Sequence, residues 1–178
     1  KKFIEMWGVD EAILENKDGA KLVDLVTRQV KRPDDFLRQL NEKPALVIGH
    51  SMGGQFVGLL AARHPALVGP GVLMSSAGVK FQENKFGRDV LAGRNPFEVR
   101  TRPELHRYLG IVFNDPPFVP WPADEAMVRK RRHDADFEQS VLDSIGRGPE
   151  AFALEGELGR IEAPVLLLWC KDDRVIDF

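Results

Sequence analysis

The stretch Ala45-Leu46-Val47-Ile48-Gly49-His50-Ser51-Met52-Gly53-Gly54-Gln55-Phe56 constrains this chain more than any other. Ala45 to Ile48 is an apolar run with the length and composition of a buried strand. The run stops at Gly49, and Ser51 stands two residues on. Met52, Phe56, Leu59, Leu60 and Arg63 then recur at helical spacings, so a helix is expected at once. A serine caught between strand and helix on so few residues sits on a sharp turn, its backbone strained and its hydroxyl lifted clear. Side chains at positions 49 and 53 are expected to collide across that turn, so glycine is wanted at both Gly49 and Gly53. The start of the helix brings unpaired N–H groups and the positive end of its dipole to the same spot. The Met52 N–H is thereby placed to donate to a negative oxygen developing beside Ser51.

Two further apolar runs set the fold class. Val72-Leu73-Met74 follows the helix, which His64-Pro65 closes, and Val165-Leu166-Leu167-Leu168-Trp169 lies near the end of the chain. Strand, helix, strand in that order is a βαβ unit, which makes the strands parallel and the crossover right-handed. All three runs read as buried strands. The expectation is an α/β fold with a mostly parallel sheet flanked by helices. Residues 1–40 read as helices, through Phe3, Met6 and Trp7, then Leu22 to Val30, then Phe36 to Leu40, with no convincing strand. Between residues 81 and 160 charges and prolines rise and strand signals vanish. Arg102 to Phe113 and Asp124 to Ile145 read as helices, and Pro116 to Pro122 as irregular chain. The division expected is core over 1–80, a helical insertion over 81–160, and a last core strand with its turn over 161–178.

Composition narrows the functions. The 178 residues suffice for one domain with a core, and a net charge of −2 gives no footprint for nucleic acid. The single cysteine, Cys170, excludes an intrachain disulfide. No His/Cys/Asp cluster has ligand spacing, so no metal or cofactor is implied.

A serine hydroxyl needs an adjacent base that a carboxylate orients. Lys171-Asp172-Asp173-Arg174-Val175-Ile176, directly after the third run, supplies two carboxylates, and spacing alone does not separate them. Of the four histidines, His50 flanks Ser51 but diverges from it and is expected to line core or pocket. His64 ends the helix, and His106 and His133 fall in the inserted helices. None reads as the base.

The strand, the Gly49-His50-Ser51-Met52-Gly53 turn and the following helix resemble the nucleophile elbow of the α/β-hydrolase family. That resemblance implies a catalytic Ser51 and makes 81–160 a cap over the active site. The family's acid-turn pattern has Trp-Gly at the strand end, two variable residues, the acid, one residue and an Ile or Val. Trp169 and Val175 register it and select Asp173, with Cys170 where the family usually has glycine. The family's histidine follows the acid, so it is expected downstream of Phe178, and the chain alone is expected to hydrolyse esters weakly or not at all. The loop giving a second oxyanion N–H is not visible before Pro44. Asn95-Pro96-Phe97, the 113–120 stretch, Ile161-x-Ala163-Pro164-Val165 and the acid turn are similar to bacterial triacylglycerol lipases and monoacylglycerol-lipase-like hydrolases. The activity this implies is hydrolysis of carboxylic, notably lipid, esters through an acyl-enzyme on Ser51. The alternatives are carbon–carbon hydrolysis or acyl transfer on the same residues, or a non-catalytic binding member. An epoxide hydrolase or haloalkane dehalogenase would usually carry aspartate at position 51. The partner expected is a small ester or lipid. His50, Phe113, Phe118 and Trp121 are candidate pocket residues, the aromatic three alternatively touching a lipid surface. The basic run Arg129-Lys130-Arg131-Arg132 reads as a solvated face ahead of a headgroup site, because acidic residues interleave it.

Overall fold

A computed structural model describes residues 43–178. The helices expected in 1–40 lie outside the described residues. Three strands, β1 (Val47–His50), β2 (Gly71–Met74) and β3 (Val165–Leu168), form one sheet in the order β1-β2-β3. Both pairings are parallel, and the register aligns His50, Met74 and Leu168 at one edge. β2 is the central strand, so β1 and β3 each neighbour it but not one another. Helix α1 (Met52–Arg63) makes the crossover from β1 to β2.

α1 lies against one face of the sheet. Its Leu59 joins Leu73 of β2 and Leu154 in a buried cluster, while Leu60 and Ala61 pack with Val68. Gly58 permits the close approach of Leu154, whose methyl carbons would stand 2.6 Å from a Cβ at that position. The stretch around Leu154 leads into a 3₁₀ turn at Glu155–Arg160, and Glu157 of this turn pairs with Arg63 of α1 at 3.1 Å. Residues 151–160, grouped by sequence with the insertion, therefore pack on the α1 side of the core.

The expected burial of all three strands holds only in part. β2 is buried or half-buried throughout, but Ile48 is 59% and Leu166 60% exposed. Strand side chains alternate between faces. α1 covers the face of Gly49 and Leu73, and among the described residues no helix covers the face that carries Ile48, Val72 and Leu166; the cover of α1 does not reach β3, where Leu167, in register with Leu73, is 64% exposed. His50 projects from that uncovered face and is exposed.

Between β2 and β3 the chain is helical: α2 (Lys85–Leu91), α3 (Arg102–Val112) and α4 (Ala123–Arg147). The short α2 carries too little periodicity to be seen in sequence, but its start is local chemistry: the Asn84 side chain accepts from Gly87 N at 2.8 Å. Thr101 caps α3 in the same way, an interaction worth about 1 kcal/mol. Leu105 and Leu109 of α3 meet Val128 of α4 in a separate small core with Val99. The basic run is only partly a solvated face. Arg131 lies 4.4 Å over the Tyr108 ring, donates to Phe97 O at 2.6 Å and pairs with Glu138 at 3.1 Å. Arg132 donates to the Arg100 carbonyl, and Lys130 pairs with Asp134 one turn on. Burial raises the Glu138 carboxyl above its ordinary value, with the Arg131 charge opposing.

Candidate active site

Ser51 stands at the aligned C-terminal edge of the sheet with φ 54° and ψ −121°. For a residue other than glycine that conformation costs about 1–3 kcal/mol and persists only where the surroundings impose it. The surroundings here are backbone hydrogen bonds. Ser51 N donates to Met74 O at 2.9 Å, and Ser51 O accepts from Gly54 N at 2.9 Å and Ala77 N at 3.0 Å. The last bond comes from the loop after β2, so the serine is pinned by a strand and a loop distant in sequence. The first N–H groups of α1, beginning with Met52, have no carbonyl one turn earlier in the helix to bond and point toward the same edge.

Two glycines hold the turn shut, and only one of them, Gly49, is of the pair expected. A Cβ at Gly49 would overlap the Gly53 carbonyl and approach Gly54 N to 2.7 Å, so glycine is required there. At Gly53 a Cβ meets nothing within 4 Å, which corrects the expectation of a reciprocal collision. The second constrained position is Gly54, where a Cβ would lie 2.7 Å from Oγ of the buried Ser76. Met52-Gly53-Gly54 already begins a helix, so residue 53 points outward while residue 54 faces the loop after β2.

Asp173 lies on the turn after β3, at the same edge of the sheet. Its Oδ1 accepts from Val175 N at 2.8 Å and Ile176 N at 3.0 Å. One carboxylate oxygen is thus consumed in fixing the turn, which leaves Oδ2 to accept a further donor. Asp172, the other sequence candidate, is exposed. Trp169 closes the turn by donating its indole N–H to Ile176 O at 2.9 Å. Cys170, at the position usually held by glycine, accepts from Asp173 N at 3.1 Å, so the turn closes with a cysteine in place. The insertion also grips this turn. Asn84 donates to Val175 O at 3.3 Å, and Arg174 donates to Gly110 O at the end of α3 at 2.7 Å. With β2 between β1 and β3, Ser51 and the acid turn are offset laterally by two strand spacings, roughly 9–10 Å.

A cavity of about 330 Å³ opens beside Ser51. Its floor is Ser51 with Ala77 and Gly78, its walls include Phe81, Phe86 and Phe97, and Leu142 and Ile145 of α4 close it above. Val175 and Ile176, whose N–H groups hold Asp173, also line it. The lining is mainly apolar, with Lys80 and Glu83 adding charge. None of His50, Phe113, Phe118 and Trp121 belongs to it. His50 is turned to the opposite side of β1 by strand alternation. Phe118 and Trp121 are 89% and 74% exposed on the proline-rich loop between α3 and α4, where no backbone ladder folds them inward. None of the four histidines lines the cavity. Among the described residues no group of three or more His, Cys, Asp or Glu is arranged to hold a metal ion. Sequence reasoning missed α2 and the 77–87 segment as cavity walls. The signal for them was the Asn84 cap ahead of Phe86, Gly87 and Val90.

A strained serine between strand and helix, a carboxylate turn two strands over and helices inserted between β2 and β3 are the arrangement of an elbow-type α/β fold. The alpha/beta hydrolase family matches residues 16–178, and the chain belongs to it. It is 28% identical to monoacylglycerol lipase ABHD6 of Homo sapiens over 174 residues, which cover 92% of this chain and 52% of that protein. It is 27% identical to monoacylglycerol lipase abhd6-B of Xenopus laevis over 159 residues, 84% of this chain and 47% of that protein. Among solved structures it is similar to a membrane phospholipase A, a bacterial virulence factor. The TM-score is 0.74 and the identity 33%, over 85% of this chain and 49% of that one. The chain thus spans about half the length of the curated relatives it matches.

Proposed function

We propose that this chain carries the nucleophile, the acid and the acyl-binding cavity of a hydrolase of lipid carboxylic esters. The observation that carries the reading is the coincidence at one sheet edge of a strained Ser51, the Asp173 turn and a mainly apolar cavity that opens on the serine. The names of the relatives, monoacylglycerol lipases and a phospholipase A, support the substrate class.

Ser51 Oγ attacks the ester carbonyl carbon and gives up its proton to an imidazole base. The carbonyl oxygen takes the negative charge, and the Met52 N–H donates to it. As the tetrahedral intermediate collapses, the carbon–oxygen bond to the alcohol breaks and the alcohol leaves with the proton from the base. Water then attacks the acyl-serine by the same path and releases the carboxylic acid. Asp173 Oδ2 accepts the other N–H of the imidazole and stabilises its cation. The cavity lining itself supplies no histidine, and the imidazole base is one that reaches Ser51 from beyond that lining. Residues 81–150 act as the cap, and the exposed Phe118 and Trp121 form its contact with a lipid surface.

The test uses the full-length natural protein with p-nitrophenyl butyrate and a monoacylglycerol. Ser51→Ala and Asp173→Asn are expected to lower kcat by roughly a thousandfold or more with folding intact. Undiminished turnover in Ser51→Ala would sink the reading.

A further inference from the structure

The cavity has a measurable size and an identifiable gauge. It occupies about 330 Å³ and is open on one side. Its upper wall is the crossing of α2 and α4. That crossing is tight because Gly146 has no side chain: a Cβ there would stand 2.5 Å from Cγ1 of the buried Val90. The two helices cannot separate to admit more substrate without losing the Val90 packing. One turn earlier on α2, Gly87 also lines the cavity, and the opposite holds. A Cβ at Gly87 would meet the Phe81 ring at 3.5 Å and Asn84 Oδ1 at 3.6 Å, ordinary contacts. A methyl at Gly87 therefore packs without strain, and because Gly87 lines the cavity a longer side chain there takes up cavity space. Ile145, half-buried on α4 next to Gly146, faces the same space.

We propose that the α2–α4 crossing sets the acyl-chain length the cavity accepts, with Gly87 and Ile145 as the residues that gauge it. This rests on the lipid-ester reading of the same site and adds its chain length. Gly146 and Val90 fix how far the two helices stand apart. The absent side chain at Gly87 and the present one at Ile145 then fix how much of that gap the acyl chain occupies. A longer chain leaves methylenes outside the cavity, and each one buried contributes roughly fourfold in affinity.

The experiment is displacement of a fluorescent fatty acid from the chain by saturated acids from hexanoic to octadecanoic, which needs no turnover. The unsubstituted chain should show a single optimum in this series. Gly87→Leu adds four carbons to the wall, so the optimum should fall by roughly four carbons, with the parent's best acid weakened more than tenfold. Gly87→Ala gives a shift of roughly one carbon in the same direction and serves if the leucine variant does not fold. Ile145→Ala removes three carbons and should move the optimum up by roughly three. An optimum that stays put in folded Gly87→Ala and Ile145→Ala overturns the proposal. The same variants in the full-length protein separate the two readings. Hydrolysis that depends on Ser51 with an unmoved length profile removes the gauge alone. A moved binding profile with hydrolysis indifferent to Ser51 removes the ester reading and leaves the gauge.

Discussion

Replacing each elbow glycine with alanine should produce three different results from three adjacent-looking positions. At Gly49 the added carbon meets only backbone, the Gly53 carbonyl and Gly54 N, and backbone at a pinned turn cannot rotate out of the way. Forcing an extra methyl into packed surroundings costs about 1–3 kcal/mol, and the rigid neighbours place Gly49→Ala at the top, about 3 kcal/mol. At Gly54 the obstacle is Ser76, with Oγ at 2.7 Å and Cα at 3.0 Å. The hydroxyl can turn but the buried main chain cannot, so Gly54→Ala should cost about 2 kcal/mol. At Gly53 nothing lies within 4 Å. There alanine gains helix propensity, and Gly53→Ala should be neutral or up to about 1 kcal/mol more stable. Urea unfolding followed by circular dichroism measures all three. With a slope near 2 kcal/mol/M, the midpoints should fall by about 1.5 M and 1 M, and rise by up to about 0.5 M. Equal losses at Gly49 and Gly53 would restore the reciprocal collision expected from sequence. No loss at Gly49 would show that the turn is not built as described.

Other expectations follow from the same geometry. Ser51→Gly relieves the positive φ and should be about 1 kcal/mol more stable than Ser51→Ala, read from their unfolding midpoints. Burial alone would raise the Glu157 carboxyl, but Arg63 and Arg160 outweigh it and hold it below its ordinary value. A depressed acid stabilises above its unfolded pKa and loses that contribution as pH falls through the folded one. Glu157→Gln should therefore be less stable at neutral pH, and thermal melts should converge with the parent's as pH drops below about 4. Trp169→Phe removes the donor to Ile176 O and should loosen the acid turn by about 1 kcal/mol, with faster amide exchange at Val175 and Ile176. Trp121→Ala should reduce binding to phospholipid vesicles in a sedimentation assay while leaving fatty-acid binding unchanged; unchanged vesicle binding would remove that loop from the lipid contact.

The sequence by itself determined the elements whose signals are local. A short apolar run ended by Gly49, a helical period begun at Met52 and a β-branched and leucine run at Val165 are readable without partners, and they fix parallel strands by connectivity alone. Spacing left Asp172 and Asp173 undivided, and the preference for Asp173 came from resemblance of the turn after β3 to a known pattern. The tertiary structure decided everything that depends on which groups meet. Gly53 and Gly54 are indistinguishable in sequence, and only the loop after β2, brought in by strand pairing, makes one of them indispensable. The cavity walls could not be read because α2 is too short to show a period, and its role arises where Gly146, some sixty residues later, lets it close on α4. Phe113, Phe118 and Trp121 illustrate the converse. An aromatic residue in sequence promises apolar area but not a direction, and direction comes from the backbone that presents it. In the proline-rich loop no ladder or helix turns these rings toward Ser51, so the cavity is lined instead by Phe81, Phe86 and Phe97.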